Sequence, residues 1–128
     1  MKTKILAMYL PQYHTFKEND EWWGKGHTWV SCKASKSLYK NHYQPRIPLN
    51  KNYYDLSTVD EQIKQAELAK KYSIYGFCYY HYWFNGHQLM ERPLEEVLSS
   101  GNPDFPFMLC WANENWSRNW DGKFRSVL

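Results

Sequence analysis

Three short apolar runs punctuate the chain, and each gives way abruptly to polar and aromatic residues. Residues 4–10 are apolar from Ile5 on at consecutive rather than alternating positions, the pattern of a strand covered on both faces within a parallel sheet. Pro11 ends this run. Residues 74–80 and 106–111 repeat the pattern. Between the first two runs, Thr58-Val59-Asp60-Glu61 has the form of a capping box, with Thr58 as N-cap and Glu61 three residues on. Val59, Ile63, Ala66 and Ala69 then fall near helical spacing, and Lys70-Lys71 suit the negative end of the helix dipole. A second helix is predicted over 92–100, with Pro93 in its first turn and Gly101 just past its end. Residues 11–56 show neither period and read as one long polar and aromatic loop. Some forty residues without regular structure are unusual in a compact domain and point to function.

The predicted order is strand, long loop, helix, strand, helix, strand. Two consecutive βαβ units make the strands parallel, with right-handed crossovers. Each strand ends in a burst of polar aromatics, at residues 9–14, 79–83 and 111–116. In a parallel sheet all three bursts reach the rim where α/β proteins meet their ligands. The switch-point site of a doubly wound sheet draws mainly on two loops, so three decorated ends favour a (β/α)8 barrel. The expected fold class is α/β, the N-terminal part of a (β/α)8 TIM-type barrel, with about three parallel strands and a long loop after the first. A whole barrel needs about 250 residues. The chain has 128, so residues 1–128 are expected to form a single partial barrel domain, truncated at its C-terminus. Alone, with two open sheet edges, it is expected to be neither a stable monomer nor an active enzyme.

Composition sharpens this picture in two ways. Hydrophobic residues make up 43% of the chain, enough for a core, and aromatics reach 19%. Many aromatics sit beside His, Asn or Gln, which suits a ligand surface. The net charge is +3, with Lys and Arg spread along the chain and no basic stripe, which argues against nucleic acid. Cys32, Cys78 and Cys110 are far apart, with no CxxC pair and no metal spacing. Cys78 and Cys110, inside apolar runs, read as small buried hydrophobes in a reducing compartment. Residues 5–10 are too short an apolar run for a signal peptide, and no run is long enough to span a bilayer. The expected location is cytoplasmic.

The candidate chemistry follows the rim. Glu114 lies between Asn113 and Asn115 and is flanked by Trp111 and Trp116. A carboxylate there suits proton transfer to a glycosidic oxygen or stabilisation of a cationic anomeric carbon, and equally a hydrogen bond to a sugar hydroxyl. His81, among Tyr79, Tyr80, Tyr82 and Trp83, is the second catalytic candidate, as a proton relay or hydroxyl donor; a core histidine bonded to a backbone carbonyl is the alternative. Gln12 and His14 follow the first run, and Tyr9 and Tyr80 end the first two; all four are candidates for substrate binding. Trp22, Trp23, Trp83, Trp111 and Trp116 offer flat faces to a pyranose, with Asn113 beside them. Arg46 is a candidate phosphate clamp or a loop-pinning cation. His81 and His87 are six apart, and no metal site or cofactor is expected.

Six blocks now matter together: 9–14 (Tyr-Leu-Pro-Gln-Tyr-His), 19–26 with Trp22-Trp23-Gly24, 42–46 (His-Tyr-Gln-Pro-Arg), 76–84 (Gly-Phe-Cys-Tyr-Tyr-His-Tyr-Trp-Phe), 91–94 (Glu-Arg-Pro-Leu) and 110–116 (Cys-Trp-Ala-Asn-Glu-Asn-Trp). In that order they resemble the opening half of the WbsX-type glycosyltransferase family. That family is similar to the glycoside hydrolases of family 99, (β/α)8 barrels acting on mannose-type linkages. The resemblance implies a carbohydrate-active protein, a glycosyltransferase of surface polysaccharide (O-antigen or lipopolysaccharide) biosynthesis. An endo-mannosidase-like hydrolase and an inactive or merely sugar-binding fragment are the alternatives. A sugar or oligosaccharide is the implied substrate, and a complementary chain carrying the rest of the barrel is an expected partner. Two departures stand out. The family reads Gly-Phe-Thr-Glu-Trp where this chain reads Gly26-His27-Thr28-Trp29, without the acidic residue. Members of the family also run to several hundred residues, against 128 here. Apart from the resemblance, no glycine-rich phosphate cradle follows any strand, a mild mark against a nucleotide donor. In the related hydrolases the catalytic carboxylates lie in the later half of the barrel, to which nothing here corresponds.

Overall fold

The computed structural model describes residues 3–24, 29–43, 46–84 and 86–113, with the side chains of Trp22, Trp23 and Ser31 left aside. Strand β1 is Leu6–Tyr9, β2 Gly76–Phe84, β3 His87–Leu89 and β4 Phe107–Trp111. The helices are α1 Lys17–Trp23, α2 Val30–Ala34, α3 Val59–Lys71 and α4 Arg92–Ser100, with a 3₁₀ turn at Leu49–Lys51. β2 is the hub. It pairs in parallel with β1 (Leu6 opposite Gly76, Tyr9 opposite Tyr79) and with β4 (Phe77 opposite Phe107, His81 opposite Trp111). The βαβ-βαβ reading therefore holds for the sheet, and the order β1-β2-β4 with helices is compatible with part of an α/β barrel.

Alternation along the strands sets the layers. Ala7 and Tyr9 of β1 and Phe77 and Tyr79 of β2 face α3, where the small Ala66 lets the helix approach closely. Tyr9 stacks on Phe77 with ring centroids 4.6 Å apart, and Phe105 meets Phe77 edge-on at 4.8 Å. Each large side chain buried here contributes about 1.5–3 kcal/mol, and well-placed aromatic pairs add about 0.5–1.5 kcal/mol. α4 packs on α3. On the opposite face Leu6, Met8 and Met108 remain exposed. A second cluster, Tyr82, Leu89, Met90 and Ala112 with Phe16, Tyr80 and Phe84, packs at the far end of β2, where it pairs with β3.

The helix ends differ from expectation in one detail. Thr58 does occupy the N-cap of α3, yet its side chain makes no capping bond. Asp55 orders the entry instead. Its carboxylate accepts the Ser57 N–H at 2.8 Å, and its carbonyl accepts the Thr58 hydroxyl at 3.4 Å. An aspartate three residues earlier wins because its short side chain reaches its own backbone two residues on. α4 follows expectation: Pro93 lies in the first turn, and Gly101 adopts φ 69°, its N–H closing on the Val97 carbonyl at 2.9 Å.

The long loop is corrected more substantially. Residues 11–56 are not structureless. They contain α1, α2 and the 3₁₀ turn, and they fold back onto the end of β1. The Leu56 N–H donates to the Tyr13 carbonyl at 2.7 Å, and Trp29 Nε1 donates to the Tyr54 carbonyl at 2.7 Å. Tyr13 and Trp29 stack at 4.4 Å, with Tyr54 edge-on to both. Helices of five and seven residues are too short to carry a legible apolar period, and packing of these aromatics supplies what periodicity does not.

β2 also overshoots its expected end. It runs through Phe84 and returns as the antiparallel β3, with Phe84 opposite His87 and Tyr82 opposite Leu89. Asn85-Gly86 stands between them in the sequence, and Gly86 has φ 80°. Asn-Gly between apolar residues is the strongest short hairpin signal a sequence carries.

Candidate functional site

Parallel pairing brings the C-terminal ends of β1, β2 and β4 to one rim, as the three bursts require. Strand alternation then divides the candidates between two faces. His81 and Trp83 share the face of β2 that carries Phe77 and Tyr79, the side on which α3 packs further down the sheet. Trp111, opposite His81 in register, shares it too. The His81 and Trp83 rings lie 6.2 Å apart. Trp83 is 45% exposed and Trp111 61%, while His81 is half-buried. The His81 carbonyl accepts the Ala112 N–H at 3.0 Å, which fixes the strand exit. Asn113 follows, exposed. Two open indole faces beside an imidazole and an amide can stack on a sugar ring and hydrogen-bond its hydroxyls.

The other candidates take different places. Tyr80 points to the opposite face and stacks with Tyr82 at 6.3 Å. Tyr9 turns into the core, its hydroxyl donating to Gln65 Oε1 on α3; burial, with Tyr79 and Tyr54 nearby, pushes its hydroxyl far above the ordinary value of 10.0. Gln12 is half-buried, and its carbonyl accepts the His14 N–H at 2.8 Å. His14 is 2% exposed. Burial holds its imidazole below the ordinary 6.5, opposed by Asp55 and the Pro11 carbonyl and aided by Arg92. His14 therefore sits buried beneath the rim. Arg46 is exposed and makes no ion pair among the described residues; its carbonyl, rather than its guanidinium, holds the loop by accepting the Cys32 thiol at 3.5 Å. Trp22 and Trp23 occupy the last turn of α1. Glu114 and Trp116 lie outside the described residues, as do their expected contacts with the His81 side of the rim.

The hairpin was missed in the sequence, and with it a contact that positions this rim. His87 Nε2 meets Glu18 Oε1 at 2.9 Å, tying β3 to α1. Burial raises the Glu18 carboxyl, but the His87 hydrogen bond and charge, the helix N-terminal amide and Lys17 together hold it below 4.5. A depressed carboxyl contributes stability above its ordinary value and loses it as pH falls through the lowered one. Glu18→Gln is therefore expected to lower the melting temperature at pH 6, by less than about 1 kcal/mol of stability for so exposed a pair. The difference between variant and wild type should close as the pH falls below 4.5. A gap that persists at pH 3 would show that Glu18 acts by packing alone. Among the described residues, no group of three His, Cys, Asp or Glu side chains could hold a metal ion.

Comparison with known proteins bears directly on this rim. The sequence profile described as "Glycosyltransferase WbsX" matches residues 5–128. Two strains of Xanthomonas campestris pv. campestris, B100 and ATCC 33913, each have a protein described as "Uncharacterized protein WxcX" that is 45% identical over 125 residues. The match takes in 97% of this chain but 18% of each relative, so the chain spans about a fifth of the length of the curated relatives it matches. In those relatives the matched stretch is part of one longer chain, which lends no support to a separate complementary chain. No solved structure matches. No helix among the described residues is long and apolar enough to cross a membrane. With the match running across both βαβ units and every block of the rim, the chain belongs to the Glycosyltransferase WbsX family.

Proposed function

We propose that this chain is the sugar-recognising arc of a glycosyltransferase that builds a surface polysaccharide. The parallel sheet is read as three neighbouring strands of a (β/α)8 barrel, with its ligand at their C-terminal ends. The observation that carries the reading is the pairing of His81 with Trp111, beside exposed Trp83, at that rim in a chain of this family. Trp83 and Trp111 would stack on the C–H faces of a pyranose. His81 and Asn113 would bond its hydroxyls, and Glu114 would move the proton or stabilise the cationic carbon.

The test is a transfer assay with a full-length family member that carries the same blocks. Product formation should require both an activated sugar donor and a glycan acceptor. Trp111→Ala should raise KM for the sugar about tenfold or more, the loss of one good stacking contact of about 1.5 kcal/mol. Release of reducing sugar from a glycan without any donor would replace this reading with a hydrolase. Binding without turnover would replace it with a recognition module.

A further inference from the structure

The spread of basic residues along the whole chain conceals a local imbalance. Between Glu21 and Asp55 there is no acidic residue, whereas Lys25, Lys33, Lys36, Lys40, Arg46 and Lys51 all fall there. Five of these are described, and all five are exposed. Among the described residues no carboxylate pairs with any of them; the ion pairs lie elsewhere, on α1, α3, α4 and β3. Lys33 lies over the Tyr53 ring at 4.7 Å.

Large apolar side chains stand exposed among these cations. Leu38 is 83% exposed, Tyr43 and Leu49 85%, and Tyr39 and Ile47 more than half. Their presentation is built rather than incidental. The turn that carries Leu38 and Tyr39 is stapled by His42: the Leu38 N–H donates to His42 Nδ1 at 3.1 Å, the Ser37 hydroxyl to the His42 carbonyl at 3.1 Å, and the His42 N–H to the Tyr39 carbonyl at 3.1 Å. The Tyr39 and His42 rings stack at 4.6 Å. Leu49 opens a second tight turn, held by the Lys51 N–H on the Pro48 carbonyl at 2.9 Å, with Asn50 and Lys51 at positive φ.

We infer that the segment from Val30 to Lys51 is a peripheral docking surface for an anionic lipid bilayer. Phosphate-rich ligands such as nucleotides would account for the cations but not for leucines held out at turn tips. A headgroup layer accounts for both: Lys and Arg meet lipid phosphates, Tyr sits at the interface, and Leu and Ile enter the acyl boundary. The loop is anchored through Tyr13 and Trp29 to the end of β1, so this surface adjoins the rim. A rim held there would meet substrates that carry a lipid tail. The inference goes beyond the sugar-transfer reading and does not rest on it.

Sedimentation of the full chain with phosphatidylglycerol/phosphatidylethanolamine vesicles tests it, with phosphatidylcholine vesicles for comparison. Binding should favour the anionic vesicles and weaken in high salt. Neutralising Lys33, Lys36 and Lys40 together to Gln should lower partition about 100-fold, at about fivefold per basic residue near the surface. Leu38→Ser with Leu49→Ser should weaken binding without changing the melting temperature, since both positions are exposed. Failure to bind anionic vesicles, or binding indifferent to the three Gln substitutions, overturns the inference. So does retention on heparin or poly(U) with no vesicle binding. In vesicle-free protein, Leu38→Cys and Leu49→Cys should react readily with a thiol reagent; protection of both would show that another part of the chain covers the surface, and would overturn it as well.

Discussion

Replacing Gly76 with alanine should cost the protein about 3 kcal/mol, the upper range for overpacking, and lower its melting temperature by about 10 °C. Gly76 opens β2 between β1 and β4, where the Phe77 N–H donates to the Pro106 carbonyl at 2.9 Å. A Cβ at Gly76 would press inside van der Waals contact of that same carbonyl oxygen and lie 3.1 Å from Leu6 Cδ2. The leucine can yield. The carbonyl cannot, because it is backbone, belongs to a proline and is committed to the hydrogen bond that starts the β2–β4 ladder. Relief requires the two strands to separate at their N-terminal ends, where Phe77 and Phe105 pack. The measurement is thermal unfolding of the alanine variant. A fall of less than about 2 °C would mean that the sheet opens there without penalty and that Gly76 is dispensable.

The largest effect on activity is expected at Glu114. In a full-length family member with the same blocks, Glu114→Gln should leave the melting temperature nearly unchanged and reduce kcat/KM by about 10²–10⁴-fold, the usual contribution of a positioned general acid or base. Glutamine keeps the shape and the hydrogen-bond acceptor but cannot take up or give a proton. The split between constants decides the role. A fall in kcat assigns proton transfer or charge stabilisation, whereas a raised KM with kcat intact assigns substrate positioning. Activity within about threefold of wild type would remove Glu114 from the site, leaving the His81–Trp111 pair to be explained by recognition alone.

Which parts of this structure were legible in the chain has a physical pattern. The parallel strands could be read because each is a consecutive apolar run with a sharp polar end, and α4 because Pro93 and Gly101 mark both its ends. The shared rim followed from parallel pairing. The face of each rim residue did not, because the expected end of β2 fell before His81 while the strand runs on to Phe84. Asn85-Gly86 carries the hairpin signal, but it follows directly on the aromatic block 76–84, whose end reads as rim rather than as strand. Tyr9 looked like a rim residue by position and shares the face of His81 and Trp111, yet it lies two residues lower on the sheet, where Gln65 of α3 takes its hydroxyl. Within residues 11–56, elements of three to seven residues leave no period to detect, and the aromatic contacts that hold them join residues from Tyr13 to Tyr54. The basic segment escaped a chain-wide balance because the acidic residues are concentrated outside it.

The hub position of β2 also orders events in time. Its partners β3 and β4 follow closely in the chain, whereas β1 precedes it by 70 positions, from Leu6 to Gly76. On a ribosome adding about 5–20 residues per second, β1 emerges about 4–14 seconds before the strand that will cover its edge. During that interval Ile5, Leu6, Met8 and Leu10 lack β2 as a neighbour. The loop contacts of Tyr13, Trp29 and Tyr54 join residues that all precede β2, so none of them requires β2 to have been made.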